Sequence, residues 1–315
     1  MPDNPTSLNV AVLMGGQSAE ADVSRNSAAQ VSDALITADH QVELIELDAA
    51  FVERLIKVKP DVVFPALHGP PGEDGTVQGC LEMLNLPYVG SGVHGSAVAM
   101  DKAIAKHLFR TADLPVADEL VVKATDNLDQ ATEAITERLG GQVVIKPTSQ
   151  GSAIGVTLLP NGGDLHTELE KALQFGPALV EPYILGKEIT VGVLDNDEGS
   201  MPHPVIEIRT ALGEWYDYTN RYATGKSEHI IPADLPENTN VSLQQIAVKA
   251  HQVLGLRDLS RADFLVTDNN DIYLLEVNSL PGMTPTSLYP DGAAHIGFDF
   301  VALMDYLVRR AFSRT

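Results

Sequence analysis

The sequence predicts an α/β protein built as three units in series, and three observations carry that expectation. Strand, helix, strand, helix and strand patterns follow one another between Leu8 and Leu67, the order that yields a parallel sheet with crossover helices. The length of 315 residues exceeds one ordinary domain, at about 150 residues each. A hydrophobic share of 44% with 20% charged residues is that of a globular chain with a sizeable core, and it excludes disorder as the main state.

The elements follow in order. Leu8 to Met14 reads as a strand stopped by Gly15-Gly16, Glu20 to Ala38 as an amphipathic helix, and Gln41 to Leu47 as a second strand. Phe51 to Lys57 is a short helix, and Asp61 to Leu67 a buried strand ending in His68-Gly69-Pro70-Pro71-Gly72. These make an N-terminal α/β unit over residues 1–90. Helical patterns at Ala103 to Thr111 and Asn127 to Leu139 open a central unit, residues 91–185. There the strand Gln142 to Lys146 runs into the small-residue loop Pro147 to Gly155, then Val156 to Leu159, a helix from Asp164 to Leu173 and a strand Ala178 to Glu181. Residues 186–315 supply strands near Glu188 to Leu194 and His203 to Arg209, and a polar, tyrosine-rich loop from Gly213 to Glu228. A helix from Glu237 to Leu254, a hairpin and a last helix from Asp299 to Phe312 complete the chain.

Charge and cysteine usage narrow the partners. Lys plus Arg number 21 against 43 Asp plus Glu, a net charge of −22. That field repels nucleic acid and anionic membrane surfaces, so neither is expected as a partner. The single Cys80 cannot form an internal disulfide, which suits a reducing compartment, and it is expected to be a buried core thiol. No run reaches the roughly 18 apolar residues of a membrane span. Met1-Pro2-Asp3-Asn4-Pro5 carries no basic region of a secretory signal. A cytoplasmic location is expected.

The hairpin carries the most chemistry. Arg261 to Thr267 and Ile272 to Asn278 flank the turn formers Asp268-Asn269-Asn270-Asp271. If Thr267 pairs with Ile272, Asp263 faces Glu276 and Arg261 faces Asn278, all on one side of the ribbon. Facing carboxylates repel unless a cation lies between them. With Asn278 they form an oxygen-only set suited to Mg²⁺ or Mn²⁺, the usual arrangement beside nucleotide phosphates. An exposed polar hairpin face remains the other reading. The following segment, Ser279 to Leu288, offers backbone N–H groups and the Ser287 hydroxyl to an anion such as a carboxylate.

At this point the chain resembles the D-alanine–D-alanine ligases of the ATP-grasp superfamily. The resemblance rests on ordered blocks spanning nearly its whole length. They are Met14-Gly15-Gly16-Gln17-Ser18-Ala19-Glu20, Leu67-His68-Gly69, Gly72-Glu73-Asp74-Gly75-Thr76, Gly90-Ser91-Gly92 and Met100-Asp101-Lys102. Val144-Ile145-Lys146-Pro147, Gly151-Ser152, Tyr216-Asp217-Tyr218, Arg221-Tyr222, Leu274 to Asn278 and Pro281-Gly282-Met283-Thr284 follow. The resemblance implies a three-domain ATP-grasp fold with a Rossmann-like N-terminal domain, usually a homodimer. The implied reaction joins two D-alanine molecules for peptidoglycan. One carboxylate attacks the γ-phosphate of ATP to give an acyl phosphate, which the amine of the second D-alanine then opens.

The same resemblance assigns roles residue by residue. Lys102 and Lys146 match phosphate-binding lysines, the Gln150 to Gly155 loop with Ser152 would close over the phosphates, and Glu181 and Glu188 match adenine-side and ribose positions. Asp263, Glu276 and Asn278 match ligands of Mg²⁺ or Mn²⁺, two ions being implied. Arg261 and the Gly282 N–H would stabilise the developing oxyanion or the moving phosphoryl group. Glu20 would pair with the first D-alanine's ammonium, with His68 beside it. Ser287 and the Leu288 N–H would hold the second carboxylate. Tyr222 would cap the site with Ser152 and Glu20 and exclude water from the acyl phosphate. Three positions depart from the family's commonest pattern: Arg221 for a lysine, Pro182 for a lysine near adenine, and Ala153 for a serine. These put nucleotide affinity most in question. A nicotinamide dehydrogenase is a poor alternative, because the glycine spacing after the first strand lacks G-x-G-x-x-G. A ligase using D-serine or D-lactate as acceptor and a catalytically silent nucleotide-binding protein remain as alternatives, the second disfavoured by the complete acidic hairpin.

Overall fold

The computed structural model describes residues 6–18, 20–210 and 227–314. Arg221, Tyr222, the Tyr216-Asp217-Tyr218 block and most of the tyrosine-rich loop lie outside these residues. In chain order the first elements are β1 (Asn9–Met14), α1 (Ala21–Thr37), β2 (Gln41–Glu46), α2 (Phe51–Val58), β3 (Val62–Pro65) and α3 (Thr76–Met83). Their three strands form a parallel sheet in the order β2-β1-β3, as the alternating pattern predicts. Next come α4 (Val93–Met100), α5 (Lys102–Thr111), β4 (Leu120–Val122), α6 (Leu128–Leu139), β5 (Val143–Pro147), β6 (Thr157–Leu159), α7 (Leu165–Leu173) and β7 (Ala178–Pro182). Here the strands pair antiparallel in the order β4-β7-β5-β6. The chain then forms β8 (Lys187–Asn196), β9 (Gly199–Pro202), β10 (Ile206–Thr210), β11 (Ser227–Ile230), α8 (Glu237–Val253), β12 (Leu259–Val266), β13 (Ile272–Asn278), α9 (Leu288–Ala294) and α10 (Phe300–Phe312). These strands build a second antiparallel sheet, β11-β10-β8-β12-β13, with β9 beside β8.

Apolar faces dictate the layering. One face of the parallel sheet packs Val10, Val12 and Phe64 against Leu35 of α1 and against Leu303, Met304, Leu307 and Val308 of α10. Its other face packs Leu13, Ile45 and Val63 on Leu55 of α2 and on Val77 and Leu81 of α3. The first sheet is therefore covered by helices from both ends of the described chain. The smaller antiparallel sheet rests on Ile135 of α6 and Leu169 of α7. The larger one rests on Leu243, Ala247 and Ala250 of α8 and on Ala105 and Phe109 of α5.

Some expectations need correction. Cys80 is only half-buried: α3 turns Val77, Gln78 and Leu81 inward and leaves the thiol at the margin. Four short elements, α4, β4, β9 and β11, fall outside those the sequence predicts. Helix α4 is rich in Gly and Ala with no apolar stripe, and β4 has only three residues. In the hairpin, Ile272 pairs with Val266 rather than Thr267, one residue out of the expected register. A β-bulge beyond Phe264 absorbs the slip, with Leu275 as the extra residue, and restores the pairs Asp263–Glu276 and Arg261–Asn278. The facing set is therefore as expected, and only the pair at the loop end differs.

Candidate active site

The two antiparallel sheets enclose a cleft lined by Lys146 of β5, Glu181 of β7, Glu188 of β8, Asp263 of β12 and Glu276 of β13. Lys102, the loop Gln150–Ile154 and the segment Tyr183–Gly186 close its sides, and Leu288 also reaches it. Period-two alternation explains the aim of these groups. Lys146 and Glu181 sit on antiparallel neighbours β5 and β7, and Asp263 and Glu276 on neighbours β12 and β13.

One side of the cleft is set by lysines, Lys146 of the smaller sheet and Lys102 at the start of α5. Asp101 caps α5 by accepting from the Ala103 and Ile104 N–H groups, which sets Lys102 on the first turn. The Lys102 ammonium donates to the Gln150 carbonyl at 2.8 Å and lies 3.1 Å from Glu276 Oε2. It thereby ties the small-residue loop to the hairpin. Lys146 pairs with Glu181, which is buried and also pairs with Lys106. Burial, reinforced by the Lys106 and Lys102 charges, pushes the Lys146 ammonium down to about 7. Lys106, wholly inaccessible, is pushed down by burial to about 8.

The hairpin wall is organised around Asp263. Arg261 forks onto it, Nε to Oδ1 at 2.8 Å and one terminal nitrogen to Oδ2 at 2.7 Å. Thr190 Oγ1 donates to Oδ1 at 2.6 Å, and Asn278 Nδ2 to Oδ2 at 3.1 Å. Arg261 on Asp263 and Lys102 on Glu276 thus supply the positive charge that facing carboxylates require. The donor set of two carboxylates and one side-chain amide remains chemically suited to a hard divalent cation. Among the described residues no group of three or more His, Cys, Asp or Glu side chains is placed to hold a metal ion by itself.

The amino-terminal side of the cleft is reached through Ser152. Its hydroxyl donates to Glu20, which is buried at the N-cap of α1. Ser152 and Ala153 both hold left-handed φ values, 48° and 59°, an uncommon pair for residues with side chains. Gly69 and Gly151 crowd Glu20 from either side, for a β-carbon on them would stand 3.2 and 3.3 Å from its Oε2. His68 lies alongside, its Nε2 3.2 Å from Ser27 Oγ and its Nδ1 3.7 Å from Glu73. Beyond it Gly282 approaches Ser287, whose hydroxyl accepts from the Thr284 N–H at 3.2 Å.

The structure thus gathers Lys102, Lys146, Ser152, Glu181, Glu188, Asp263, Glu276 and Leu288 around one cleft. It joins Glu20 to them through Ser152, and Arg261 and Asn278 through Asp263. His68, Gly282 and Ser287 stand outside the cleft lining. Sequence reasoning missed Lys106, Glu119 and Thr190. The signal for Lys106 was present: it shares the buried stripe of α5 with Ala105 and Phe109, an unusual place for a lysine.

Two antiparallel sheets close on a cleft, with Lys146 from one and the paired acids Asp263 and Glu276 from the other, the arrangement expected of an ATP-grasp enzyme. The comparisons sharpen this. Residues 108–309 match the family model described as D-ala D-ala ligase C-terminus, and residues 51–91 the one described as D-ala D-ala ligase N-terminus. A D-alanine–D-alanine ligase of Acidiphilium cryptum is 45% identical over 309 residues, covering 97% of this chain and 99% of that one. Its counterpart from Pelotomaculum thermopropionicum is 41% identical, covering 96% of each. The solved D-alanine–D-alanine ligase of Bacillus anthracis complexed with ATP superposes with a TM-score of 0.82 at 29% identity, covering 98% of both chains. The chain belongs to the D-alanine–D-alanine ligase family.

Proposed function

We propose that this protein joins two D-alanine molecules into D-alanyl-D-alanine for peptidoglycan precursors, converting ATP to ADP and phosphate. The observation that carries the reading is the cleft between the two antiparallel sheets, where Lys102 and Lys146 stand across from Asp263 and Glu276. Full-length relatives at 41–45% identity bear the name of a ligase of two D-alanines, so D-serine or D-lactate as acceptor is not favoured. A silent nucleotide-binding protein is not favoured either.

Phosphoryl transfer is largely a matter of positioning and charge neutralisation. In our reading Lys102 and Lys146 hold the triphosphate, and Ser152 with its loop covers it. Glu181 and Glu188 face the nucleoside. Glu20, with His68 beside it, fixes the ammonium of the first D-alanine so that its carboxylate oxygen lines up with the γ-phosphorus. The bond to the β-γ bridging oxygen breaks and ADP leaves. Ser287 and the Leu288 N–H hold the second carboxylate, presenting its free amine to the acyl carbon. A C–N bond forms, phosphate departs and the amine gives up a proton. Arg261 and the Gly282 N–H offset the negative charge that builds on the acyl oxygen and phosphate. Arg221 and Tyr222 are assigned to phosphate contact and to capping on the family resemblance alone. Asp263, Glu276 and Asn278 would hold Mg²⁺ or Mn²⁺, two ions in our reading, which when bound neutralise phosphate oxygens.

We divide the chain at about residues 90 and 185 into the three units given above, and we assign the protein to the cytoplasm as a homodimer. No described helix is long and apolar enough to cross a membrane. The test is ADP release with D-alanine, L-alanine, D-lactate and D-serine offered singly and in pairs. Release with D-alanine alone, and none with L-alanine, is expected. Equal release with L-alanine would reject the assignment.

A further inference from the structure

The mechanism above makes no use of Lys106, yet its ammonium is sealed from water and does not line the cleft. A lysine in that position is costly unless it is compensated. It lies between two carboxylates, pairing with Glu181 and standing 3.6 Å from Glu119. Glu119 in turn accepts from Arg110, one of whose bonds is 2.8 Å. Arg110, Glu119, Lys106, Glu181 and Lys146 therefore alternate in sign from the surface to the cleft wall.

Glu181 spends one oxygen on each lysine, Oε1 on Lys106 and Oε2 on Lys146. Of the two lysines only Lys146 lines the cleft. A polyphosphate entering there draws the Lys146 ammonium toward itself. Glu181 then loses one of its two counter-ions while buried, and a buried carboxylate stripped of its partner is strongly disfavoured. With Lys106 in place it keeps one.

We propose that Lys106 is a positioning residue for the nucleotide: it retains Glu181 so that Lys146 can be released from that carboxylate to the phosphates of ATP. The inference rests on the assignment of the cleft as the ATP site. Lys106 touches no substrate and acts only through Glu181.

The test compares Lys106→Met, Lys106→Arg and Lys146→Met in the full chain, with circular dichroism and thermal unfolding to verify folding. For Lys106→Met the KM for ATP is expected to rise about tenfold or more, with kcat and the KM for D-alanine within about twofold of the parent. Lys106→Arg, which keeps the charge, should recover most of the loss. Should the methionine variant not fold, Lys106→Gln, which can bond both carboxylates without a charge, makes the same comparison. Unchanged KM for ATP in a folded, uncharged Lys106 variant, beside a raised KM in Lys146→Met, overturns the role of Lys106 and leaves the ATP site standing. Unchanged KM in Lys146→Met overturns the ATP site itself and this inference with it. A parallel fall in kcat and rise in both KM values marks Lys106 as structural and also overturns it.

Discussion

Asp263 and Glu181 are both carboxylates in the cleft wall, and they are satisfied in opposite ways. Asp263 is held by a planar fork from Arg261 with Thr190 and Asn278 around it, a directional arrangement of neighbours from the same sheet. Glu181 is held by two point charges from different elements, Lys106 of α5 and Lys146 of β5. The first arrangement fixes geometry, whereas the second allows one partner to leave. In the proposed function, a hairpin that orders reacting groups and a lysine pair that shares one carboxylate divide the labour within one cleft.

Breaking the rigid side should cost most. Glu276→Gln removes one facing carboxylate at constant shape. ADP release is expected to drop about 10³-fold with the fold intact, and turnover near the parent's would remove Glu276 from the site.

His203 offers a buried ionisable group with neither kind of compensation. Both of its ring nitrogens are buried without a hydrogen-bond partner among the described residues, and burial holds it neutral down to about 3. Its pKa in the unfolded chain is near 6.5, so between pH 6.5 and 3 the unfolded state binds more protons and stability falls as pH falls. From pH 7 to pH 5 this group should remove about 2 kcal/mol. Denaturant unfolding at both pH values should show that loss reduced in His203→Leu; an identical pH dependence in both proteins would refute it.

The exchangeable side should be sensitive to alkali. With the Lys146 ammonium held near 7 by burial before nucleotide binds, its charge is lost as pH rises, and ATP binding must then recruit a proton. The KM for ATP is expected to climb by up to about tenfold per pH unit above 7. Lys146→Arg should flatten the climb, and a flat profile in the parent would show that Lys146 does not meet the phosphates. The smallest effect belongs to Thr190→Val, which takes one donor from Asp263 and should cost about 1 kcal/mol in unfolding stability. A loss above about 3 kcal/mol would mean that Thr190 does more than orient that carboxylate.

The same contrast decides what was legible in the sequence. The hairpin acids could be paired on paper because β-alternation and a short turn are local rules acting over 15 residues or so. Even there the Thr267–Ile272 anchor failed, since nothing in the composition marks Leu275 as a bulge. Lys106 and Glu181 meet across 75 residues of chain, through packing of α5 on the sheets, and no local pattern brings them together. The parallel sheet of residues 9–65 was readable from its alternating elements, but its covering by α10 was not, because an apolar helix face does not say which sheet it will meet. Cys80 erred in the same way: it lies on an apolar helix, but next to the buried stripe rather than within it.

That covering has a consequence for how the protein is made. Val10, Val12 and Phe64 leave the ribosome well before Leu303, Met304, Leu307 and Val308, which complete their core. Until α10 has emerged, that face of the first sheet is covered only in part, by α1, so the polypeptide must be shielded by chaperones or by its own provisional collapse.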